Sequence, residues 1–364
     1  LSWCGLSMVT RWNWPGVTKR IAPPVDGAGA KCYAVAGFFM ADSFKLKTLD
    51  SLRDFWEGLS PEMKRGPIFV LPAWLESWWQ VFGAKTGLLL GEISKGGRVI
   101  GIAPLRVKNA EAMFIGDAAV CDYLDFIIVP GRENEFFGIL LDGLKARGIT
   151  HLNLEALRPD STVLTSLAGI AREGGCQASC QASGVSVALD LPRSWTLYLE
   201  GLTAKQRHEL RRKLRRLDEE GTVGFRVAAP SEADASLDIF IDQFRRSRRD
   251  KARFMNARMK VFFGALTRAM AASGLIRFGF LELNGSPVAS VLFLDYNNSR
   301  YLYNSGYDPG YRHLSVGLLA KVLCIKDAIG QGMTCFDFLR GDEAYKYRLG
   351  GSEIPLHNCR IDIT

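Results

Sequence analysis

The chain has 364 residues, 48% of them hydrophobic and 11% aromatic, and a formal charge of +8. That length accommodates two domains of roughly 100–200 residues each, and the composition excludes collagen-like, heptad-repeat and low-complexity architectures. The basic balance admits an acidic partner such as phosphate, nucleic acid, an anionic glycan or a membrane face, and fits a basic soluble enzyme as well.

Residues 1–41 show no clear periodicity, contain the stretch PPVDGAGA, and read as a leader or poorly ordered segment. No transmembrane helix is predicted. The richest aromatic run, Ile68 to Phe82, holds Pro72, Glu76 and Gln80 and is too short to cross a bilayer. Among eight cysteines only Cys176 and Cys180 are close in sequence, which is a poor zinc signal, so no metal site is expected. Cys324 and Cys335 fall in apolar patterns, where a thiol acts as a small hydrophobe. Reduced thiols and a cytoplasmic location, with the inner membrane face as an option, fit this usage.

From Phe44 onward the pattern is regular. Leu46 to Leu59 and Pro72 to Phe82 have helical spacing, and Trp74, Leu75, Trp78 and Trp79 share one face of the second. Thr86 to Ile93 and Arg98 to Val107 predict a hairpin about Gly96-Gly97. Phe126 to Val129 reads as a buried strand beside Asp117, Asp122, Tyr123 and Asp125. Those acids belong either to a solvated loop or to a substrate-facing pocket. A helix from Glu133, a strand from His151, a helix from Thr162 and a strand over Val185 to Leu191 complete a first domain, 42–191.

The second domain, 192–364, opens with a basic helix, Thr203 to Glu220, that Thr203 is placed to cap. Leu202, Leu210, Leu214 and Leu217 make an apolar stripe. Arg211, Arg212, Arg215 and Arg216 form either a solvated face or a contact for an anionic polymer. A strand from Gly224, a helix from Ser231 as N-cap, a second basic cluster at Arg245 to Phe254 and a helix from Met259 follow. Ile276 to Leu283 and Val288 to Asp295 predict a hairpin about Asn284-Gly285. Arg300 to Ser305 is a third strand. Ser315 to Ile329 is a helix and Thr334 to Leu339 a further strand. Polar residues gather where these strands end, beside a helix N-terminus that offers free N–H groups to phosphate.

The order helix, helix, antiparallel strands, helix, strand resembles a GNAT acyltransferase. The chain from about Phe44 resembles the CelD/BcsL-like GNAT acetyltransferases linked to cellulose and other exopolysaccharide biosynthesis. These are in turn similar to FemAB-type aminoacyltransferases with two GNAT-like units in tandem. The resemblance is carried by Ile102 to Leu105, Gly116 with Cys121 to Asp125, the basic helix, Gly285 to Ala289, Ser305 to Pro309, Phe336 to Glu343, and Tyr345-Lys346. It implies an α/β fold of two tandem units with mixed, mostly antiparallel sheets flanked by helices. It also implies an acyl-CoA co-substrate, probed by a loop of pattern Arg or Gln, two residues, Gly, one residue, Gly or Ala. Arg312 to Gly317 fits that pattern with Ser315 in place of the first Gly. Arg312, Ser315, Val316 and Gly317, with Tyr303 and Asn304, are thus the expected donor-binding residues. Ser315 alternatively caps the helix.

The expected chemistry is transfer of an acyl group, acetyl above all, to an amine or hydroxyl of a sugar or cell-envelope precursor. Asp337, flanked by two phenylalanines, is placed as base; otherwise it is a structural carboxylate bonded to Lys346 or Arg340. Tyr307 is placed as acid or as packing. Lys346 holds an anionic donor or pairs with Asp337. Asp122, Tyr123, Arg340 and Asp342 shape the acceptor pocket. The first domain, which lacks the loop pattern, reads as a degenerate copy serving the acceptor. A charged tRNA donor with a peptidoglycan-type acceptor, or plain binding of RNA or an anionic polymer or membrane through the basic helices, are the competing readings.

Overall fold

The computed structural model describes residues 42–59 and 66–363; the expected leader at 1–41 lies outside them. The first helix begins three residues later than its spacing suggests, because Ser43–Lys47 is a strand (β1). Phe44 plugs a gap made by two glycines: a Cβ at Gly143 would stand 2.7 Å from its ring, and the Arg147 guanidinium lies 4.3 Å above it. Then come α1 (Leu49–Gly58) and α2 (Pro72–Phe82), the latter opened by Pro72 in its first turn, where a missing N–H costs nothing. Strands β2 (Gly87–Lys95), β3 (Arg98–Lys108), β4 (Glu111–Phe114) and the short β5 (Ile127–Ile128) precede α3 (Glu133–Lys145) and β6 (His151–Leu157). A π-helical turn at Val163–Leu167 leads into α4 (Ala168–Glu173), then β7 (Gln177–Asp190).

The second half holds α5 (Trp195–Gly201), α6 (Ala204–Asp218), β8 (Val223–Val227), α7 (Ala233–Ser247), α8 (Arg249–Phe254) and α9 (Ala257–Met270). After these come β9 (Ile276–Leu283), β10 (Ser286–Tyr296), β11 (Ser299–Tyr307), α10 (Val316–Gly330), β12 (Cys335–Arg340), α11 (Ala344–Arg348) and β13 (Ser352–Asp362). Thr203 caps α6 as expected, in a reciprocal box with Gln206. Ser231 does not cap α7: it lies in a 3₁₀ turn, Pro230–Glu232, that Pro230 opens, and the helix starts at Ala233. Asn284 and Gly285 turn the β9–β10 hairpin, both at positive φ.

One mixed sheet runs through the described residues in the order β1-β2-β3-β4-β6-β13-β7-β12-β11-β10-β9-β8, with β5 paired to β3. Only β4–β6 and β11–β12 are parallel. Each parallel pair is joined across a helix, α3 in one case and α10 in the other. Each is preceded by two antiparallel strands, β2–β3 and β9–β10. The same topology therefore occurs twice, flanked by helices. The strand that follows each copy is exchanged: β7 pairs with β12 of the second copy, and β13 pairs with β6 of the first. β7 and β13 also pair with each other along most of their length.

Alternation along the strands sorts the core. Leu292 and Leu294 of β10 join the cluster under α7 and α9, whereas Val291 and Phe293 join the one under α6 and α10. Arg300, fully buried at the start of β11, reaches Asp295 at 2.8 Å through two nitrogens and Asp327 of α10 at 2.6 Å. That pairing registers α10 against the strand it follows. Cys180 and Cys359 form a disulfide between β7 and β13. This corrects the expectation of wholly reduced thiols: β13, which its mixed polar pattern hid, brings together two cysteines 179 residues apart.

Candidate active site

β11 and β12 pair only from Ser299 to Tyr301 against Cys335 to Asp337. Beyond that they part. Both strands are irregular there: in β12 Leu339 has φ +62 and the register with β7 shifts between Asp337 and Arg340, and in β11 Tyr303 is an extra residue against β10. A left-handed leucine costs roughly 1–2 kcal/mol. Here the Leu339 N–H donates to Asp337 Oδ1 at 2.7 Å, which holds the bulge. A cavity of about 720 Å³ fills the opening, between Leu302 to Ser305 on one side and Phe338 to Arg340 on the other.

Arg312, Ser315, Val316 and Gly317 all line this cavity, so the expected donor loop and the strand opening meet. Val316 is fully buried, and only its backbone serves the site. Ser315 has φ +60, the conformation for which the pattern uses glycine. Its hydroxyl makes no cap bond with α10. It accepts from Lys213 Nζ at 2.9 Å, which ties the basic helix α6 to the loop. Gly317 is required sterically, since a Cβ there would lie 2.7 Å from the Tyr307 ring. The first N–H groups of α10 lack intrahelical partners and no acidic side chain occupies its first turn, so the terminus suits an anion. The equivalent helix of the first copy, α3, begins with Glu133 and Glu135, and only about 50 Å³ of space lies between the ends of β4 and β6.

Tyr303 and Asn304 also line the cavity. The Tyr303 hydroxyl is committed to the Val120 carbonyl at 2.9 Å, and its ring packs on Trp74 and Phe263, so it joins β11 to the first half. Tyr307 sits on the cavity wall. Asp122, from the first half, faces the same space. Burial first, and then the nearby charge of Asp337, push its carboxyl up to about 6, against a pull from the Arg340 backbone N–H.

Asp337 is not beside the donor loop. It faces a second cavity of about 360 Å³ with Tyr123, Tyr301 and Arg158. Its partners are neither Lys346 nor Arg340: the Tyr123 hydroxyl donates at 2.9 Å and Arg158 Nη1 at 3.4 Å. Burial raises its pKa, with the Leu339 N–H and the Tyr123 hydroxyl pulling the other way. Burial and Asp337 keep the Tyr123 phenol well above its ordinary range. Lys346 is buried and donates to the carbonyls of Leu339, Arg340 and Gly341 at 2.9, 2.7 and 3.1 Å, with Glu343 at 2.9 Å. Its ammonium thereby braces the turn between β12 and α11 at the cavity edge. Arg340 lines the donor cavity, whereas Asp342 is exposed and is not among the residues lining it. Sequence reasoning missed Arg158, Lys251 and Lys321. Lys321 stands one helical turn after Gly317, the one signal that could have found it.

The fold is that of the GNAT acyltransferases. Residues 204–347 match the family model described as an acetyltransferase (GNAT) domain. The likeness in three dimensions extends over both halves. The crystal structure of FemX superposes with a TM-score of 0.59 at 12% identity, over 87% of this chain and 96% of that one. L-PGS from Bacillus licheniformis superposes with a TM-score of 0.55 at 12% identity, over 86% of this chain and 92% of that one. No curated protein sequence matches the chain significantly. Among the described residues no helix is long and apolar enough to cross a membrane.

Proposed function

We propose that this protein is an acyltransferase that moves an acyl group, acetyl above all, from acyl-CoA to an amine or hydroxyl of a sugar or cell-envelope precursor of exopolysaccharide type. The observation that carries the reading is the cavity between the parted β11 and β12 with the N-terminus of α10 at its rim. Arg312 and the backbone at Ser315 to Gly317 would hold the donor's phosphates, and the unpaired edge of β11 would hold its amide-bearing arm by strand addition. The bound donor supplies an activated acyl carbonyl. Residues 192–364 would then form the donor domain and 42–191 the degenerate, acceptor-side domain.

In this reading Asp122 takes the base role expected of Asp337, because of the three carboxylates that line the donor cavity Asp250 and Glu343 are held in ion pairs by Arg248 and Lys346. Its pKa near 6 leaves it ionised at neutral pH and able to accept the nucleophile's proton. Tyr307 gives a proton to the leaving group, while Arg340 and Tyr123 shape the acceptor side. A new bond to the acceptor's nitrogen or oxygen replaces the bond to the donor's sulfur. The setting proposed is the cytoplasm or the inner membrane face, where acyl-CoA is available; the Cys180–Cys359 bond between β7 and β13 would have to persist there against a reducing thiol pool.

Acetyl-CoA should raise the melting temperature by several degrees at saturation, as roughly 100 Kd of ligand adds about 2.7 kcal/mol. Arg312→Ala should remove most of that rise. Absence of a shift with acetyl-CoA and with longer acyl-CoAs defeats the reading. A second reading, an aminoacyl-tRNA donor, is favoured by one contact: Lys213 links the exposed arginine face of α6 directly to Ser315. Steeply salt-dependent tRNA binding that survives Arg312→Ala would move the choice to that donor.

A further inference from the structure

Six basic and three acidic side chains line the donor cavity. Two of the basic groups are neutralised within it, Arg248 by Asp250 at 2.8 Å and Lys346 by Glu343 at 2.9 Å. Lys251, Lys321, Arg312 and Arg340 then face a single remaining carboxylate, Asp122. Lys251 reaches in from α8 and donates to the Ser305 carbonyl of β11. Lys321 reaches in from α10, donates to the Gly317 carbonyl at 2.7 Å, and lies 4.9 Å from the Tyr345 ring centre. Among the described residues neither ammonium has a carboxylate within 4.0 Å. The phenols facing them are Tyr303 and Tyr307 of β11 and Tyr345 of α11.

We propose that Lys251 and Lys321 form a clamp for a phosphate group of the substrate pair, closing on it from the two sides of the opening. This rests on the reading of that cavity as the transfer site. A dianion there would supply the counter-charge that the cavity lacks, using donor positions left over after one carbonyl bond each. The ligand-free state carries the opposite signature. Burial pushes Lys321 down to about 7, with the charge of Lys251 adding to the effect, and burial together with Arg248 pushes Lys251 down to about 8. Both amines are therefore partly neutral at pH 8. An entering anion favours their charged forms, so binding takes up protons.

Sulfate is the probe, since it is a tetrahedral dianion that does not titrate in this range. Replacing chloride by sulfate at constant ionic strength, with the whole protein held at pH 8 in a pH-stat, should consume acid on the order of one proton per chain. At pH 5.5, where both amines are already charged, uptake should fall to a few tenths of a proton at most, all of it taken by Asp122, whose carboxyl lies near 6 in the same cavity. Lys321→Gln and Lys251→Met should each raise the sulfate midpoint at least tenfold. Equal uptake at the two pH values, no uptake at pH 8, or an unchanged midpoint in both variants overturns the clamp. The wild-type comparison decides even if the variants fold poorly. Prior saturation with CoA separates the sources: loss of uptake assigns the phosphate to the donor, and persistence assigns it to the acceptor. Sulfate uptake without acetyl-CoA binding leaves the clamp standing and removes the acyl-CoA donor.

Discussion

The Tyr123 hydroxyl donates to both carboxylate oxygens of Asp337, at 2.9 and 3.0 Å, across 214 residues of sequence. The bond joins the two halves behind the candidate site, and it fixes the carboxylate that in turn holds the Leu339 N–H and the bulge of β12. Tyr123→Phe leaves Asp337 short of a donor. It should cost about 1–3 kcal/mol in urea unfolding. Donor affinity should fall with it if the bulge sets the width of the cavity. Unchanged acetyl-CoA affinity in a destabilised variant would separate the two roles.

Asp122→Asn should make the protein more stable and less active. A carboxylate whose folded pKa is raised binds protons more tightly in the folded state. Its burial therefore destabilises the fold above its folded pKa of about 6, and the penalty disappears as pH falls to the ordinary carboxylate value near 4. At pH 7 the variant should gain about 3 kcal/mol, from about two units at about 1.4 kcal/mol each, and near pH 4 it should gain nothing. Turnover should drop about 10²–10⁴-fold, and the acid limb near pH 6 in the wild-type rate profile should vanish. A variant with full turnover would remove Asp122 as base.

Ser315 tests the loop. Ser315→Gly relieves the left-handed backbone and loses the bond from Lys213, so stability should change by less than about 1 kcal/mol. Acetyl-CoA affinity should stay within about threefold. Ser315→Val, β-branched at φ +60, should cost about 2 kcal/mol or more and abolish the acetyl-CoA thermal shift.

Gly317→Ala sets a methyl 2.7 Å from the Tyr307 ring. Donor affinity should fall at least tenfold. In the double variant with Tyr307→Ala the affinity should recover in part while turnover stays low, because the proposed acid is gone. Full recovery of turnover would assign Tyr307 to packing alone.

Arg300→Met leaves the half-buried Asp295 and Asp327 without their shared cation, with only Arg277, 3.9 Å from Asp295, still beside one of them. Removal of one partner from such a cluster costs roughly 3–5 kcal/mol. A loss of this size by urea unfolding, with α10 losing amide-exchange protection first, is expected.

Much of the fold could be read from periodicity and turn chemistry. Pro72 to Phe82, the Thr203 cap and the Asn284-Gly285 turn all lie where the patterns put them, since local rules decide them. β13 could not be read so. Its residues, SEIPLHNCRID, mix proline with polar side chains and show no apolar run, and its strand form comes from the two neighbours it sits between. The site divides in the same way. The loop Arg312 to Gly317 and the strands around it are local and were legible. Alternation turns Asp337 away from Phe336 and Phe338, but which face of β12 meets the donor loop is decided only when the strands pair, and the opposite facing of Asp122 and Tyr123 depends on where their loop docks. Lys251 looked like one more charge in a basic run, because only its placement against β11 sets it apart.

The exchange of β7 and β13 has a consequence for how the protein is made. Synthesis runs from the first half to the second, and β6 emerges from the ribosome some 200 residues before its partner β13. Until then the nascent first half carries two open strand edges, those of β6 and β7, which invite pairing with the wrong chain. The protein is therefore most exposed to misassembly during translation. A premature stop anywhere before residue 352 would release a species that cannot close its sheet, however well each helix has formed.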